Sequence, residues 1–519
     1  MDSSHVWDVI VIGTGIGGAT VGQALARRGF GVLFVEKGAS VIAGGDATDA
    51  TSPESRLNLG WWPYPVSLRR TDGTCNRFHA PIGCAVGGSS IFYAAALERM
   101  ERSDFDTLIT STQEVPRWPV SYDELSPYYA EAEALYGIAA DADAAAEARF
   151  SEWDRELVRA MRRNELHPMP LQVAIRYDEE CRECVGRICP RKCKADARTA
   201  CLDEALRRPG CHLLEGCDVQ RLEADDTQVR VVHAKYQGQD VELRARVVVL
   251  AAGAMHSPQV LLRSRNAFWP HGLANHSDQV GRNLMFHGID LYALWAPRRL
   301  DRRTRQKKAL SVRDFYLKDG RRLGYVQSLG VDAGRGDIAL FMKNFLRRMG
   351  IRNEMLLRVL VKVPASAVAR ALGDASILVG MTEDDPSPDN RIVLDEKEPN
   401  GASFSYTVAD DLRERSDALR ENFRRRIKPW RLIRLTPALE MNYGHPCGTC
   451  RFGDDPKTSV LNRDCRAHDV ANLYVVDSSF MPRSSAVNPS LTIAATALRT
   501  AAAIADSLSA RSAQKVSSA

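Results

Sequence analysis

Apolar and polar positions along the start of the chain change period twice. Val9, Ile10, Val11 and Ile12 form an unbroken apolar run, as in a strand buried on both faces. An alanine-rich helical pattern follows, then a second apolar strand that ends at Glu36. Strand, helix, strand in that order predicts a parallel α/β sheet. Val241–Ala252 reads as an exposed strand turning into a buried one, followed by Gly253 and a short helix over Gln259–Arg263. It belongs to the same sheet, which makes the first domain discontinuous. Trp118–Gly137 reads as a loop and an amphipathic helix, with Ser121 and Glu124 in capping-box spacing. Near the C-terminus, Leu473–Pro482 is a strand ending in Asp477. An apolar helix then begins with Asn488 as its cap and Pro489 in its first turn, and the tail after Ser507 reads as frayed. Residues 341–371 predict helices with one basic and one apolar face. These are expected to lie over the core, with docking to a membrane surface or an acidic electron carrier as the alternative.

Between the first strand and its helix stand Gly13, Gly15 and Gly18, in G-x-G-x-x-G spacing. The first glycine permits the tight turn, the second lets backbone approach a pyrophosphate, and the third lets helix and sheet pack closely. The helix start adds free N–H groups and a positive dipole end. Glu36 falls where a carboxylate accepts hydrogen bonds from a ribose. Together these features predict a dinucleotide site. A second glycine-rich segment, Gly83 with Gly87, Gly88, Ser89 and Ser90, offers more backbone to a flat or phosphorylated ligand.

At 519 residues the chain is long enough for two or three domains, and 45% hydrophobic with 26% charged is an ordinary globular balance. A net charge of +5 is too small to argue for nucleic acid. No run of about 18 apolar residues stands out, so no transmembrane helix is expected. The first strand begins too early to leave room for a leader, and a cytoplasmic setting is expected. The twelve cysteines are clustered, which points to metal or redox chemistry. Cys181, Cys184, Cys189 and Cys193 form a C-x2-C-x4-C-x3-C series. One loop of this kind could hold a three- or four-iron cluster (3Fe-4S or 4Fe-4S) or a structural zinc; plain thiols are the remaining reading. Lys192 and Lys194 would stabilise thiolates there, and Cys201 is set apart by a predicted helix.

His445 lies in a Gly-His-Pro turn, where a neutral imidazole can take a hydroxyl proton as hydride leaves the carbon. Asn488 can hydrogen-bond the same alcohol oxygen. For each residue the structural reading, turn or cap, stands beside the catalytic one.

Several segments together resemble the glucose–methanol–choline (GMC) flavin oxidoreductases across nearly the whole chain. They are GGSSIFYAAALER (87–99), WPVSYDELSPYYAEAEALYG (118–137), AAGAMHSPQVLLRS (251–264) and VGRNLMFH (280–287). The most specific are HPCGTCRFG (445–453), VVDSSFMP (475–482) and VNPSLTI (487–493). The resemblance implies a doubly wound, Rossmann-like FAD-binding domain and an α+β substrate domain with an antiparallel sheet. The FAD domain would take residues 1–115, 201–285 and 435–519, the last carrying active-site residues. Residues 116–200 would be an inserted helical region containing the cysteine loop 181–193, and 286–434 the substrate domain. His445 would be the base and Asn488 its partner. The cofactor set would be Gly13, Gly15, Ile16, Gly17, Gly18 and Glu36, then Gly87, Gly88, Ser89 and Ser90, and finally Ala252, Gly253, Asp477 and Pro489. Phe92 stands where some members carry a flavin-linking His, which implies non-covalent FAD.

The cysteine series resembles that of membrane-associated sugar dehydrogenases of this family, which pass electrons from flavin through a three-iron cluster to a protein acceptor. This implies an FAD-dependent dehydrogenase of an alcohol or sugar CH–OH group. The alternatives are an oxygen-using oxidase with structural cysteines and a non-redox, hydroxynitrile-lyase-like flavoprotein. Tyr292, Trp295 and Tyr316 are weighed as substrate contacts against a place in the core.

Overall fold

The computed structural model describes residues 5–517 except 42–59, 61, 63–64, 70–73, 107, 110–113, 116, 139–146, 149, 179, 182, 301–307, 331–345, 347–350, 352 and 374. The leading strand, Val6–Ile12, lies inside a seven-stranded sheet. The order is Cys211–Glu215, Val32–Glu36, Val6–Ile12, Gln239–Leu250, Val229–Tyr236, Cys217–Ala224, with Leu473–Val475 added against Gln239–Leu250. Its parallel half draws strands from the start, middle and end of the chain. Val9 pairs with Val32 on one side and Val247 on the other, and Val248 pairs with Leu473. Gln239–Leu250 does two jobs. Its exposed first half pairs antiparallel with Val229–Tyr236, and its buried second half runs parallel to Val6–Ile12.

The helix Ile16–Arg27 packs on the C-terminal helix Ser490–Ser517, which packs in turn on Tyr122–Leu135. The last of these has the expected Ser121–Glu124 capping box. One expectation fails at the C-terminal helix, which continues past Ser507 to Ser517. Its stretch Ser490–Ala510 is long and apolar enough to cross a membrane by length and composition alone, and 67% of its 18-residue apolar window is buried within the fold, as in a core helix. Packing against the glycine-turn helix accounts for the apolar content.

A second seven-stranded sheet is wholly antiparallel. It runs Arg431–Arg434, Met285–Trp295, Ser376–Glu383, Tyr325–Ser328, Leu310–Val312, Pro168–Pro170, with Glu440–Cys447 also on Met285–Trp295. Tyr292 lies in its core beside Phe423, Trp295 packs against Ala293, Leu372 and Ile377, and the Tyr316 hydroxyl donates to Asp104 at 2.6 Å. These aromatics therefore serve packing. The helix Glu354–Leu372, expected to lie over core, does not: Met355, Leu356, Val359 and Leu360 are exposed, and Leu372 is the only buried side chain among those described on it.

Buried ion pairs join segments that flank the second sheet to distant parts of the chain. Arg483 donates to Glu383 at 2.6 and 2.9 Å, and Arg322 meets Asp104 at 2.6 Å, all four side chains being almost fully buried.

Candidate active site

A cavity of about 510 Å³ opens at the carboxyl ends of the parallel strands, where doubly wound sheets bind ligands. At one wall the chain leaves Val6–Ile12 through Gly13, whose φ of +99° excludes most side chains. A Cβ at Gly18 would stand 2.0 Å from the Gly13 oxygen, so the third glycine does allow helix and turn to meet. A Cβ at Gly15 would meet no atom of the chain within 4 Å, and the space it would fill belongs to the cavity. Gly15 also caps the helix Ile16–Arg27 without a side-chain bond, which leaves the first N–H groups beside the cavity unspent. Glu36 accepts from Thr14 N at 3.0 Å, Thr14 Oγ1 at 2.7 Å and Gly38 N at 2.9 Å, and burial pushes its carboxyl pKa up.

Gly15, Ile16, Gly17 and Glu36 line the cavity together with Gly13, Gly88, Ser89 and Ser90. Gly18 and Gly87 stand behind the wall rather than on it. Gly87 donates its N–H to Thr14 Oγ1 at 3.0 Å, which stitches the second glycine segment to the first. Ala252, Gly253, Asp477 and Pro489 also reach the cavity. The buried Asp477 carboxylate accepts from Gly253 N and Ser479 N, each at 2.9 Å, and from Ser257 Oγ. It fastens the end of Gln239–Leu250 to the C-terminal segment.

Sequence reasoning missed one wall of the cavity. Trp62 and His256 pack there with ring centroids 3.8 Å apart. Lys37 sits 5.1 Å from the Trp62 ring centroid and 3.0 Å from Asp218. Burial pushes His256 down to about 3, so it is neutral, and its Nε2 is buried without a hydrogen-bond partner among the described residues. Lys37, directly after the strand-ending acid, was the one local signal.

His445 and Asn488 also line the cavity. His445 lies in the strand Glu440–Cys447 and not in a free turn. The pairing of that strand with Met285–Trp295 breaks register between Met285 and His287, and the bulge re-aims side chains at this point. His445 Nδ1 lies 2.8 Å from His287 Nδ1 and 3.2 Å from Asn442 Nδ2. Burial, then the neighbouring His287 and Lys308, hold the His445 imidazole well below 6.5, so it is unprotonated at neutral pH. Asn488 does not make the cap expected of it. Its amide nitrogen donates across to the second sheet, to Tyr325 Oη at 3.0 Å and Gln327 Oε1 at 3.4 Å. The long-range partners win because Tyr325 and Gln327 are buried and bring fixed acceptors to it.

The cysteine loop gives the iron–sulfur or zinc expectation no support. Cys189 Sγ lies 3.4 Å from Cys193 Sγ, and Cys193 Sγ 3.8 Å from Cys181 Sγ. A hydrogen bond from Cys184 pulls the Cys189 thiol below its ordinary value. In a polynuclear cluster each thiolate caps its own iron, which holds the sulfurs farther apart. Among the described residues no group of three or more His, Cys, Asp or Glu side chains is arranged to hold a metal ion. The loop is fixed instead by buried Lys194, whose Nζ lies 2.7–3.2 Å from the carbonyls of Ile91, Tyr93, Cys184 and Arg187. Lys194 thus holds backbone rather than sulfur. Cys201 lies apart, against Tyr136 and Thr20, while Val185 and Gly186 of the loop line the cavity.

A doubly wound sheet with a glycine turn and an acid at the second strand, facing an antiparallel sheet across a long cavity, defines a two-domain dinucleotide-dependent enzyme. The family comparison makes this specific. Models described as GMC oxidoreductase match residues 7–289 and 386–497, so the chain belongs to the GMC oxidoreductase family, whose cofactor is FAD. It is 29% identical to 6'''-hydroxyparomomycin C oxidase of Streptomyces lividus, over 98% of this chain and 93% of that protein. It is 28% identical to 2-methyl-1,2-propanediol dehydrogenase of Mycolicibacterium austroafricanum (96% and 95%) and 26% identical to the fructose dehydrogenase large subunit of Gluconobacter japonicus (96% and 98%). Among solved structures, pyridoxine 4-oxidase from Mesorbium loti superposes with a TM-score of 0.64 over 95% of this chain and 98% of that one, at 22% identity, which speaks for the fold.

Proposed function

We propose that the protein uses non-covalent FAD to oxidise a CH–OH group of a sugar or small polyol to a carbonyl. The observation that carries this reading is the shared cavity: His445 and Asn488 line the same space as the glycine turn, Glu36 and Asp477. The walls fit FAD on the chain's own evidence. Gly15 leaves an open cradle beside unspent helix N–H groups, and the buried Nε2 of His256 on another wall has no partner among the described residues. Phe92 on the wall offers no nucleophile for a covalent link. Bound there, FAD supplies a two-electron hydride acceptor.

In this reading His445, kept neutral by burial, accepts the substrate hydroxyl proton on its ring nitrogen away from His287 as hydride departs from the carbon. Asn488, held by Tyr325 and Gln327, orients the same oxygen. Relatives named for a sugar, a diol and an aminoglycoside support a polyhydroxy substrate.

Electrons then leave for an external acceptor, the dehydrogenase reading. An oxygen-using oxidase is the second reading, favoured by the sulfur spacing that does not suit an iron cluster. The test is anaerobic mixing of the FAD-loaded protein with D-glucose, D-fructose, glycerol and 2-methyl-1,2-propanediol, following loss of flavin absorbance. Bleaching by at least one of them is expected, and no bleaching by any defeats the proposal. Reoxidation by air against a quinone or ferricyanide then separates the two acceptors.

A further inference from the structure

His287 and His445 are 158 positions apart in the chain and in hydrogen-bond contact in the fold. The rings meet edge to face, at 89° with centroids 5.0 Å apart. The same His287 ring reaches a second partner: its Nε2 lies 3.2 Å from the carbonyl oxygen of Ser484. A carbonyl oxygen only accepts. His287 Nε2 must therefore carry hydrogen and donate to it. His287 is almost fully buried, which pushes its pKa down to about 4 and keeps the ring neutral. A neutral imidazole has one N–H, so His287 Nδ1 is bare and accepts. The nitrogen facing it at 2.8 Å, His445 Nδ1, must be the donor. His445 then has its proton on Nδ1 and its lone pair on Nε2.

We infer that His287 is a positioning residue that selects the Nδ1–H tautomer of His445 and so leaves His445 Nε2 bare to receive a proton. This rests on the proposed role of His445 and names what that role needs. When the substrate O–H bond breaks, its proton goes to Nε2 and the carbon's hydride to the flavin, so the site needs one empty nitrogen in advance.

Asn442 makes the selection consequential. Its Oδ1 accepts from Gly444 N at 3.1 Å, which turns its Nδ2–H₂ toward His445 Nδ1 at 3.2 Å. That group can donate only to a bare Nδ1. Without His287, Asn442 favours the opposite tautomer, with hydrogen on Nε2 and the base blocked.

Two measurements test this on the FAD-loaded protein. The first is long-range ¹H–¹⁵N correlation of histidine-labelled wild type, with the His445 signals assigned by their loss in His445→Ala. The expected pattern is protonated Nδ1 and bare Nε2; protonated Nε2 overturns the inference and needs no variant at position 287. The second is anaerobic flavin reduction by the fastest substrate of the panel above. His287→Leu is expected to slow it about ten-thousandfold, the scale on which a wrong His tautomer acts elsewhere. His287→Asn, whose amide oxygen can accept from His445 Nδ1, should recover at least tenfold of the loss. Adding Asn442→Ala to His287→Leu should recover part as well, because it removes the competing donor. A His287→Leu rate within tenfold of wild type overturns the inference, as does no recovery in either rescue. Failure of the proposed function would look different: His445→Ala itself would reduce at the wild-type rate.

Discussion

Gly15 and Gly18 stand three residues apart in one motif, and the fold gives them separable duties. Replacing Gly15 by Ala adds a methyl that meets nothing of the chain within 4 Å. The backbone there, at φ −65° and ψ −171°, suits any residue. Less unfolded-state freedom favours Ala by about 0.4–1 kcal/mol, and the poorer helix cap costs about as much, so the stability of the flavin-free protein should move by less than about 1 kcal/mol. The methyl does occupy the space where a pyrophosphate would approach the helix N–H groups. Losing one hydrogen bond to a charged oxygen costs about 1.5–3 kcal/mol, or about 10- to 100-fold in FAD affinity. Gly18→Ala should do the reverse. Its Cβ would stand 2.0 Å from a backbone oxygen, and the forced shift should cost about 1–3 kcal/mol of stability before any cofactor is added. Thermal denaturation of both flavin-free variants, beside FAD titration by fluorescence quenching, separates these effects. The reasoning is refuted if Gly15→Ala binds FAD at wild-type affinity, or if it loses as much stability as Gly18→Ala.

Further outcomes follow from the same geometry. His445→Ala should keep FAD bound and slow anaerobic flavin reduction about 100- to 10,000-fold, measured by stopped flow. Because burial and two neighbours hold His445 well below 6.5, its basic form persists as pH falls. The reduction rate should therefore stay flat from about pH 9 to about pH 6 and be lost only at lower pH, whereas a midpoint near 6.5 would contradict the burial argument. Arg483→Leu should destabilise the protein by about 3–5 kcal/mol in chemical denaturation, since it removes the directly paired cation from the buried Glu383 carboxylate and leaves Arg322 at 3.6 Å and the weaker pull of Arg415.

How far the sequence led depends on the range of the interaction concerned. Gly13 to Glu36 was readable because the Thr14–Glu36 bonds close within one βαβ unit, and Ser121 with Glu124 because a capping box closes over three residues. The α/β sheet and the antiparallel domain followed from such local signals and the family resemblance. Asn488 was misread as a cap because the side chain that satisfies a helix start can equally serve Tyr325, 163 positions away. His287 was visible only as the last letter of VGRNLMFH, since nothing local announces that a bulge opposite it delivers His445. The cysteine spacing was suggestive, but ligation depends on how far the folded loop holds its sulfurs apart, and Lys194 sets that from the backbone side. The exposed apolar face of Glu354–Leu372 has the period of a core helix, and periodicity does not say whether anything covers it.

The central sheet takes its parallel strands from residues 6–12, 239–250 and 473–475, and this sets a timetable for biosynthesis. A nascent chain can wind its opening βαβ unit early on the ribosome, but the strand edge at Gln239–Leu250 waits, apolar and unpaired, for Leu473–Val475 to emerge. A chain cut short before residue 473 would lack both that strand and the cavity residues Asp477, Asn488 and Pro489, and should fail to hold the prosthetic group.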